Sequence, residues 1–153
     1  MLRVTLAALH LLGFGLGAFA ILTRAIVVRP PLSGITIRRA FRADNLWAAS
    51  AAILVITGLW RYLGGAEKAT AYYTHNEFFV MKMMLLAIIL GLEVWPMITL
   101  IRWRIALGRG ATPESVVTPR RALRISTISF VQAAIMAAMV FAAVAMARGY
   151  SVL

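Results

Sequence analysis

Cysteine is absent from this chain of 153 residues. A protein without thiols has no disulfide bond, no thiolate nucleophile, no iron–sulfur cluster and no thiolate-ligated haem. The two histidines are too few for a zinc site of three histidines. Charge is scarce as well, since charged residues make up 14% of the chain against about 25% in soluble domains. The composition therefore excludes several metal and redox classes and is not typical of a soluble domain.

Hydrophobic residues make up 62% of the sequence, and they are concentrated in four long runs. A helix needs about 20 mostly apolar residues to cross a bilayer. None of the runs has the alternation of a barrel strand, and an unpaired strand edge is not stable in lipid. We therefore predict an all-α membrane protein, a four-helix transmembrane bundle in one domain. The predicted spans are residues 4–23, 45–63, 78–101 and 124–147.

The distribution of basic residues predicts an orientation. Sixteen Lys and Arg against five Asp and Glu give a net charge of +11, which in a soluble protein would point to nucleic acid. Here eleven of the sixteen lie in or beside the two loops that join span one to two and span three to four. By the positive-inside rule these loops should be cytoplasmic, so both termini should face the outer side of the membrane. We expect anionic lipid, and not nucleic acid, as the counter-charge.

The loops carry boundary signals. Residues 33–42 mix apolar side chains with three arginines, which is typical of a short helix lying on the anionic leaflet. Asp44 then suits the N-cap of span two. Pro96 lies inside span three, where it removes a backbone hydrogen bond and should kink the helix.

Ionisable residues inside spans are costly and are functional hypotheses by default. His10, Lys82 and Glu93 qualify. His10 lies about 9 Å from the outer end of span one, and Lys82 is also in the outer half. Glu93 lies nearer the cytoplasm, and we expect Arg102 or Arg104 to pair with it.

His10 shares one face of span one with Gly13 and Gly17, which form a GxxxG pattern. Such a pattern allows close approach of a neighbouring helix. Three interpretations stay open for His10: a hydrogen bond across a helix–helix seam, ligation of haem iron or another metal, and proton handling.

Polar residues of the other spans allow further hypotheses. Lys82 extends to the interface, pairs with Glu77, or binds an acidic ligand group, and Arg61 lies at the same outer end. His75, in an aromatic outer loop, is a candidate second ligand or proton relay, although a solvated interfacial loop explains it equally. Ser126, Ser129 and Gln132 in span four favour hydrogen bonding between helices.

A series of residues through nearly the whole chain resembles the bacterial membrane proteins grouped as domain of unknown function 2214. That resemblance implies a four-span inner-membrane protein, and the family has no established activity. The residues are Leu9-His10-Leu11-Leu12-Gly13, Ala43-Asp44, Gly58-Leu59-Trp60-Arg61, Glu67-Lys68, Tyr72-Tyr73, Asn76, Phe79, Lys82 and Arg102-Trp103-Arg104.

A more distant resemblance concerns the small membrane protoporphyrinogen oxidase of many bacteria. His10 and Lys82 match its Leu-His in span one and its early Lys in a later span. Its His-rich segment after the Lys and its Trp-rich final stretch are absent here. The resemblance thus implies tetrapyrrole binding and does not extend to porphyrinogen oxidation.

These residues lead to one main hypothesis and two alternatives. The main one is a redox component that binds haem b or a porphyrin, with His10 as iron ligand, His75 assisting, and Lys82 and Arg61 binding propionates. The first alternative is a non-catalytic accessory subunit or homo-oligomer that packs through Gly13 and Gly17. The second is a carrier of a small solute or ion that uses Glu93 and Lys82.

Overall fold

Four long helices and one short helix form the chain in the computed structural model, which describes residues 1–64, 76–148 and Tyr150. The long helices are 26 to 32 residues long, and at about 1.5 Å per residue each exceeds a hydrocarbon core of about 30 Å. Regular structure in the described ranges is entirely helical, which confirms the predicted all-α class with four membrane-spanning helices. The helices are α1 (Leu2–Val27), α2 (Gly34–Leu63), α3 (Glu77–Gly108), α4 (Pro113–Val116) and α5 (Pro119–Ala147).

Helix α2 begins well before the predicted second span. Ser33 is its N-cap, and a capping box joins the Ser33 and Thr36 side chains to each other's backbone N–H groups at 3.3 and 2.8 Å. No proline interrupts the following residues, so the helix runs on without a break. The prediction of a separate surface helix over 33–42 is therefore wrong, and so is the prediction that Asp44 is an N-cap.

Helix α3 runs through its internal proline. Asn76 caps it by accepting a hydrogen bond from the Phe79 N–H at 3.2 Å, and Pro96 lies within the continuous helix that ends at Gly108. The Thr99 hydroxyl donates to the Trp95 carbonyl at 2.8 Å, one turn back. The helix therefore continues without a break from its apolar part to the end that contains Arg102 and Arg104.

The four long helices form a bundle in which α1 packs against α2 and α5, and α3 packs chiefly against α5. Helices α2 and α3 touch less extensively. At one end, the rings of Tyr62 and Phe79 stack with centroids 5.4 Å apart. At the other end, Arg104 of α3 donates to the Asn45 side chain of α2 at 3.0 Å.

Two buried apolar clusters occupy the interior. A polar layer separates them and consists of Arg24, Asp44, Glu93, Ser129 and Gln132. On each long helix the residues of the first cluster lie on one side of this layer and those of the second cluster lie on the other. The layer is thus enclosed by apolar packing above and below. The first cluster is Ala20, Ile21, Trp47, Ile89, Met136 and Met139; the second is Val28, Ala40, Leu100, Trp103, Ala122 and Ile125.

Two glycines of α1 bring it close to α2. A Cβ atom at Gly17 would lie 3.2 Å from the Trp47 ring, and one at Gly13 would lie 3.1 Å from Ile53. These glycines therefore face a helix of the same chain. Gly15, between them, has nothing within 4 Å of such a Cβ.

We expect Gly17→Leu to destabilise the fold by about 1–3 kcal/mol, because the added side chain overlaps Trp47 in a filled seam. Gly15→Leu is the matched control on the same helix and should leave stability nearly unchanged. The measurement is unfolding of each purified variant in mixed micelles by titration with sodium dodecyl sulfate. Equal stability of the two variants would show that the α1–α2 seam is not tightly packed.

Candidate functional site: a buried arginine joining four helices

Arg24 is the centre of the polar layer. It lies in the last turn of α1, which continues to Val27 before the Pro30-Pro31 pair, and its side chain is 0% exposed. The charge count in the sequence had placed Arg24 in a cytoplasmic loop. The other three long helices each direct polar side chains toward it: Asp44 from α2, Glu93 from α3, and Ser129 and Gln132 from α5.

The guanidinium of Arg24 makes hydrogen bonds to all three of these helices. Glu93 accepts a bidentate pair, from Nη1 at 2.5 Å and from Nη2 at 2.7 Å. Asp44 Oδ1 accepts from Nη1 at 2.9 Å. On α5, Ser129 Oγ accepts from Nε and Gln132 Oε1 accepts from Nη2, both at 3.0 Å.

These bonds use the full donor capacity of the side chain. A guanidinium has five N–H groups, one on Nε and two on each Nη, and Arg24 makes five hydrogen bonds. A buried charge is tolerated only when it is paired and its remaining hydrogen-bonding groups are satisfied. Arg24 meets both conditions, and a single residue thereby connects all four long helices.

Gln132 completes the arrangement from the α5 side. Its Nε2 group donates to Glu93 Oε2 at 2.8 Å and to the Ile89 backbone carbonyl at 3.1 Å. The side-chain amide therefore bridges Arg24 and α3. This is the hydrogen bonding between helices that the sequence predicted for Gln132.

Charges of alternating sign extend from this centre toward the arginine-rich end of the bundle. Asp44 directs Oδ1 to Arg24 and lies with Oδ2 4.0 Å from Nη2 of Arg104. The Arg104 side chain is 43% exposed, and its guanidinium lies 4.9 Å from the Phe41 ring centroid. The order Arg104, Asp44, Arg24, Glu93 is positive, negative, positive, negative. The row is balanced in charge, and among its four members only Arg104 has an exposed side chain.

The structure corrects the partner expected for Glu93. The sequence favoured Arg102 or Arg104, because they follow Glu93 on the same helix. Glu93 pairs with Arg24 instead, and Arg104 contacts α2 through Asn45 and Asp44. The fixed rise of a helix keeps residues 93 and 104 about 16 Å apart along its axis. A residue of a neighbouring helix can lie at the same level as Glu93, as Arg24 does.

A second polar contact lies in the half of the bundle away from the arginine-rich loops, where His10 meets α2. His10 Nδ1 and Thr57 Oγ1 are 2.8 Å apart, and the Thr57 hydroxyl donates to the Ile53 carbonyl at 2.6 Å. Because a hydroxyl has one proton, Thr57 is assigned as the acceptor and His10 Nδ1 as the donor.

The space beside His10 on the α2 side is filled. The His10 ring packs against Gly58, where a Cβ would lie 3.4 Å from Cε1. Ile53 and Trp47 fill the positions opposite Gly13 and Gly17. The room that the glycines provide is therefore occupied by α2, and a macrocycle ligated by His10 would have to lie outside this seam.

Arg61 and Lys82 lie toward the end of the bundle away from the arginine-rich loops. Arg61 follows Thr57 by four residues and shares its face of α2. Lys82 lies one turn after Phe79, whose ring stacks on Tyr62. Arg61 and Lys82 thus flank the contact between α2 and α3, while Glu93 belongs to the separate cluster around Arg24. His75 lies outside the described residues.

The importance of Arg24 was missed from the sequence, although a signal existed. The apolar run of span one continues beyond Thr23 to Val28, and a helix commonly ends just before a proline. Taken together, these features extend the helix to the residues before Pro30 and put Arg24 inside it. No property of the sequence alone pairs Arg24 with Asp44 and Glu93.

The helices and the buried charged layer define an integral membrane protein with four apolar helices long enough to span a bilayer. The chain belongs to the family described as "Predicted membrane protein (DUF2214)", which it matches over residues 2–151. No curated protein and no solved structure matches it. The distant resemblance to protoporphyrinogen oxidase thus gains no support from the comparisons.

We expect Arg24→Met to lower the free energy of unfolding by about 3–5 kcal/mol, because it leaves two carboxylates buried without their cation. The matched control is Arg29→Met. Arg29 is exposed, donates to Ser126 at 3.2 Å and lies 4.9 Å from the Phe130 ring centroid, so its loss should cost about 1 kcal/mol.

The measurement is unfolding in mixed micelles, followed by circular dichroism. If both variants lose the same small amount of stability, Arg24 does not hold the helices together.

Proposed function

We propose that this protein is a non-catalytic integral membrane protein, an accessory subunit or self-associating structural component of a bacterial inner membrane. The observation that carries the proposal is the complete use of Arg24. Its five donors bind residues of three other helices, so the most expensive polar group of the interior serves to hold the bundle together. The result is one rigid domain that presents mostly apolar helix faces outward.

Self-association would use a different surface from the one expected. Gly13 and Gly17 pack against Ile53 and Trp47 within the same chain. A second copy or a partner subunit would therefore dock on faces of the bundle outside the α1–α2 seam. Because apolar faces also contact lipid, such docking depends on fit between helices and not on the hydrophobic effect alone.

Haem or porphyrin binding is the second candidate, and one observation favours it. His10 Nδ1 lies 2.8 Å from the Thr57 hydroxyl, and histidines that ligate metals commonly have their other ring nitrogen hydrogen-bonded in this way. His10 would ligate the iron, and Arg61 and Lys82 would bind the propionates. A bound haem would supply one-electron redox chemistry, and the filled seam restricts it to a position outside α1 and α2.

The carrier hypothesis has less support. It requires water to reach Glu93, whereas Glu93 is bonded to Arg24 and Gln132, and the side chain of Arg24 is fully buried. An enclosed, mutually satisfied cluster is what a structural role requires.

We expect the purified protein, expressed with a haem precursor, to show no Soret absorption band. His10→Ala should fold and assemble like the unmodified chain, because loss of one part-buried hydrogen bond costs about 1 kcal/mol. Absorption spectra and native mass spectrometry in the same detergent measure both properties. A Soret band that disappears in His10→Ala would contradict the accessory role and support the second candidate.

The arginine-rich side of the bundle is proposed to face the cytoplasm, with both termini outside. This rests on the excess of arginines in the loops 28–33 and 109–118 and the helix ends beside them. The same side would contact anionic lipids.

The absence of native cysteine makes the orientation easy to test. We expect Ser115→Cys, in the short helix α4, to react with a membrane-impermeant maleimide only after the membrane is permeabilised. Tyr150→Cys, beyond the end of α5, should react in intact cells whose outer membrane has been made permeable. Both residues are exposed, so the reverse labelling pattern would overturn the proposed orientation.

A further inference from the structure

Exposed arginines lie on the same side of α3 and α5 as Trp95, toward the arginine-rich end of the bundle. The Arg124 guanidinium lies 4.5 Å from the Trp95 ring centroid, a stacking arrangement between the two helices. Arg120 precedes Arg124 by one turn on the same face of α5. Arg102 follows Trp95 by seven residues and therefore shares its face of α3.

These charges are not balanced locally. Arg120 and Arg121 lie in the first turn of α5, which contains no acidic residue, and cations there are disfavoured by the helix dipole. In the described part of the chain, the acidic residue nearest in sequence to Arg120 and Arg124 is Glu114 of α4. The one nearest to Arg102 is Glu93, which is paired with Arg24. Several arginines against one carboxylate favour an anionic partner from outside the chain.

Apolar surface adjoins the arginines and identifies the kind of anion. Ile98, between Trp95 and Arg102 on α3, is 40% exposed, and Leu123 and Val131 of α5 are 51% and 46% exposed. Tryptophan and arginine side chains beside apolar helix surface are typical of the boundary between headgroups and hydrocarbon. A ligand here meets guanidinium groups at one end and apolar side chains at the other.

We infer that Trp95, Arg102, Arg120 and Arg124 form a binding site for the phosphate headgroup of an anionic phospholipid. The planar guanidinium of Arg124 keeps its N–H edges for phosphate oxygens while its face rests on the indole. The acyl chains lie along the exposed apolar residues of α3 and α5. The inference deepens the proposed contact with anionic lipid by assigning it to a specific place, and it does not depend on the accessory role.

Native mass spectrometry of the protein, supplied with equal amounts of phosphatidylglycerol and phosphatidylcholine, tests the site. The unmodified chain should retain phosphatidylglycerol in preference. Arg120→Gln with Arg124→Gln should lower that retention about fivefold for each arginine removed. The matched control, Arg38→Gln with Arg39→Gln, removes two exposed arginines from α2 and should lower retention much less, because these residues supply only general surface charge.

A second pair of variants separates a built site from general surface charge. Trp95→Leu keeps every charge and should still lower retention about two- to fivefold, because the stacked position of Arg124 is lost. Arg124→Lys keeps the positive charge but removes the planar guanidinium, so it should also lower phosphatidylglycerol retention. Circular dichroism checks that each variant is folded.

Two outcomes would overturn the inference. One is an equal loss of phosphatidylglycerol in the Arg38 and Arg39 control, which would mean that net charge alone attracts the lipid. The other is equal retention of the two lipids by the unmodified chain, which would mean that no headgroup is selected. The self-association proposal is tested separately. A protein that is monomeric and still retains phosphatidylglycerol in a Trp95-dependent way would support the lipid site and contradict self-association.

Discussion

The bidentate pair between Arg24 and Glu93 is the interaction on which the bundle depends. In water such a pair contributes little, but between two apolar clusters each charge is tolerated only with its partner present. The pair links α1 to α3, two helices that otherwise meet little. Asp44 and Gln132 then attach α2 and α5 to the same guanidinium. One side chain thus fixes the rotation and depth of four helices at once.

This arrangement explains why the polar residues fall into two groups. The first group lies around Arg24 in the interior, and its charges alternate in sign as far as Arg104. Apolar side chains pack on both sides of it: Ile21, Ile89 and Met136 on one side, and Val28, Leu100 and Ile125 on the other. The second group, at the end of the bundle away from the arginine-rich loops, consists of His10 of α1, Thr57 and Arg61 of α2, and Lys82 of α3. Because the group around Arg24 is used to join the helices, a cofactor would be expected at the second group. Lipid recognition would be expected at the arginine-rich surface.

The fold class followed from the sequence because four apolar runs of sufficient length leave few structures stable in lipid. The start of α2 was not predicted correctly. The apolar run placed it near residue 45, whereas the capping box of Ser33 and Thr36 starts the helix at Gly34. The partner of Glu93 was not predicted either, because pairing between two helices depends on how each is rotated about its own axis. Lateral order and rotation arise from contacts such as Gly17 with Trp47, which composition and periodicity do not encode.

A double-mutant cycle on Arg24 and Glu93 tests the central claim most directly. The free energy of unfolding is measured for the unmodified chain, Arg24→Met, Glu93→Met and the double variant. If the two groups satisfy each other, the double variant should lose about 2–3 kcal/mol less stability than the sum of the single variants. Strictly additive losses would mean that Arg24 and Glu93 stabilise the protein independently, and would contradict the account.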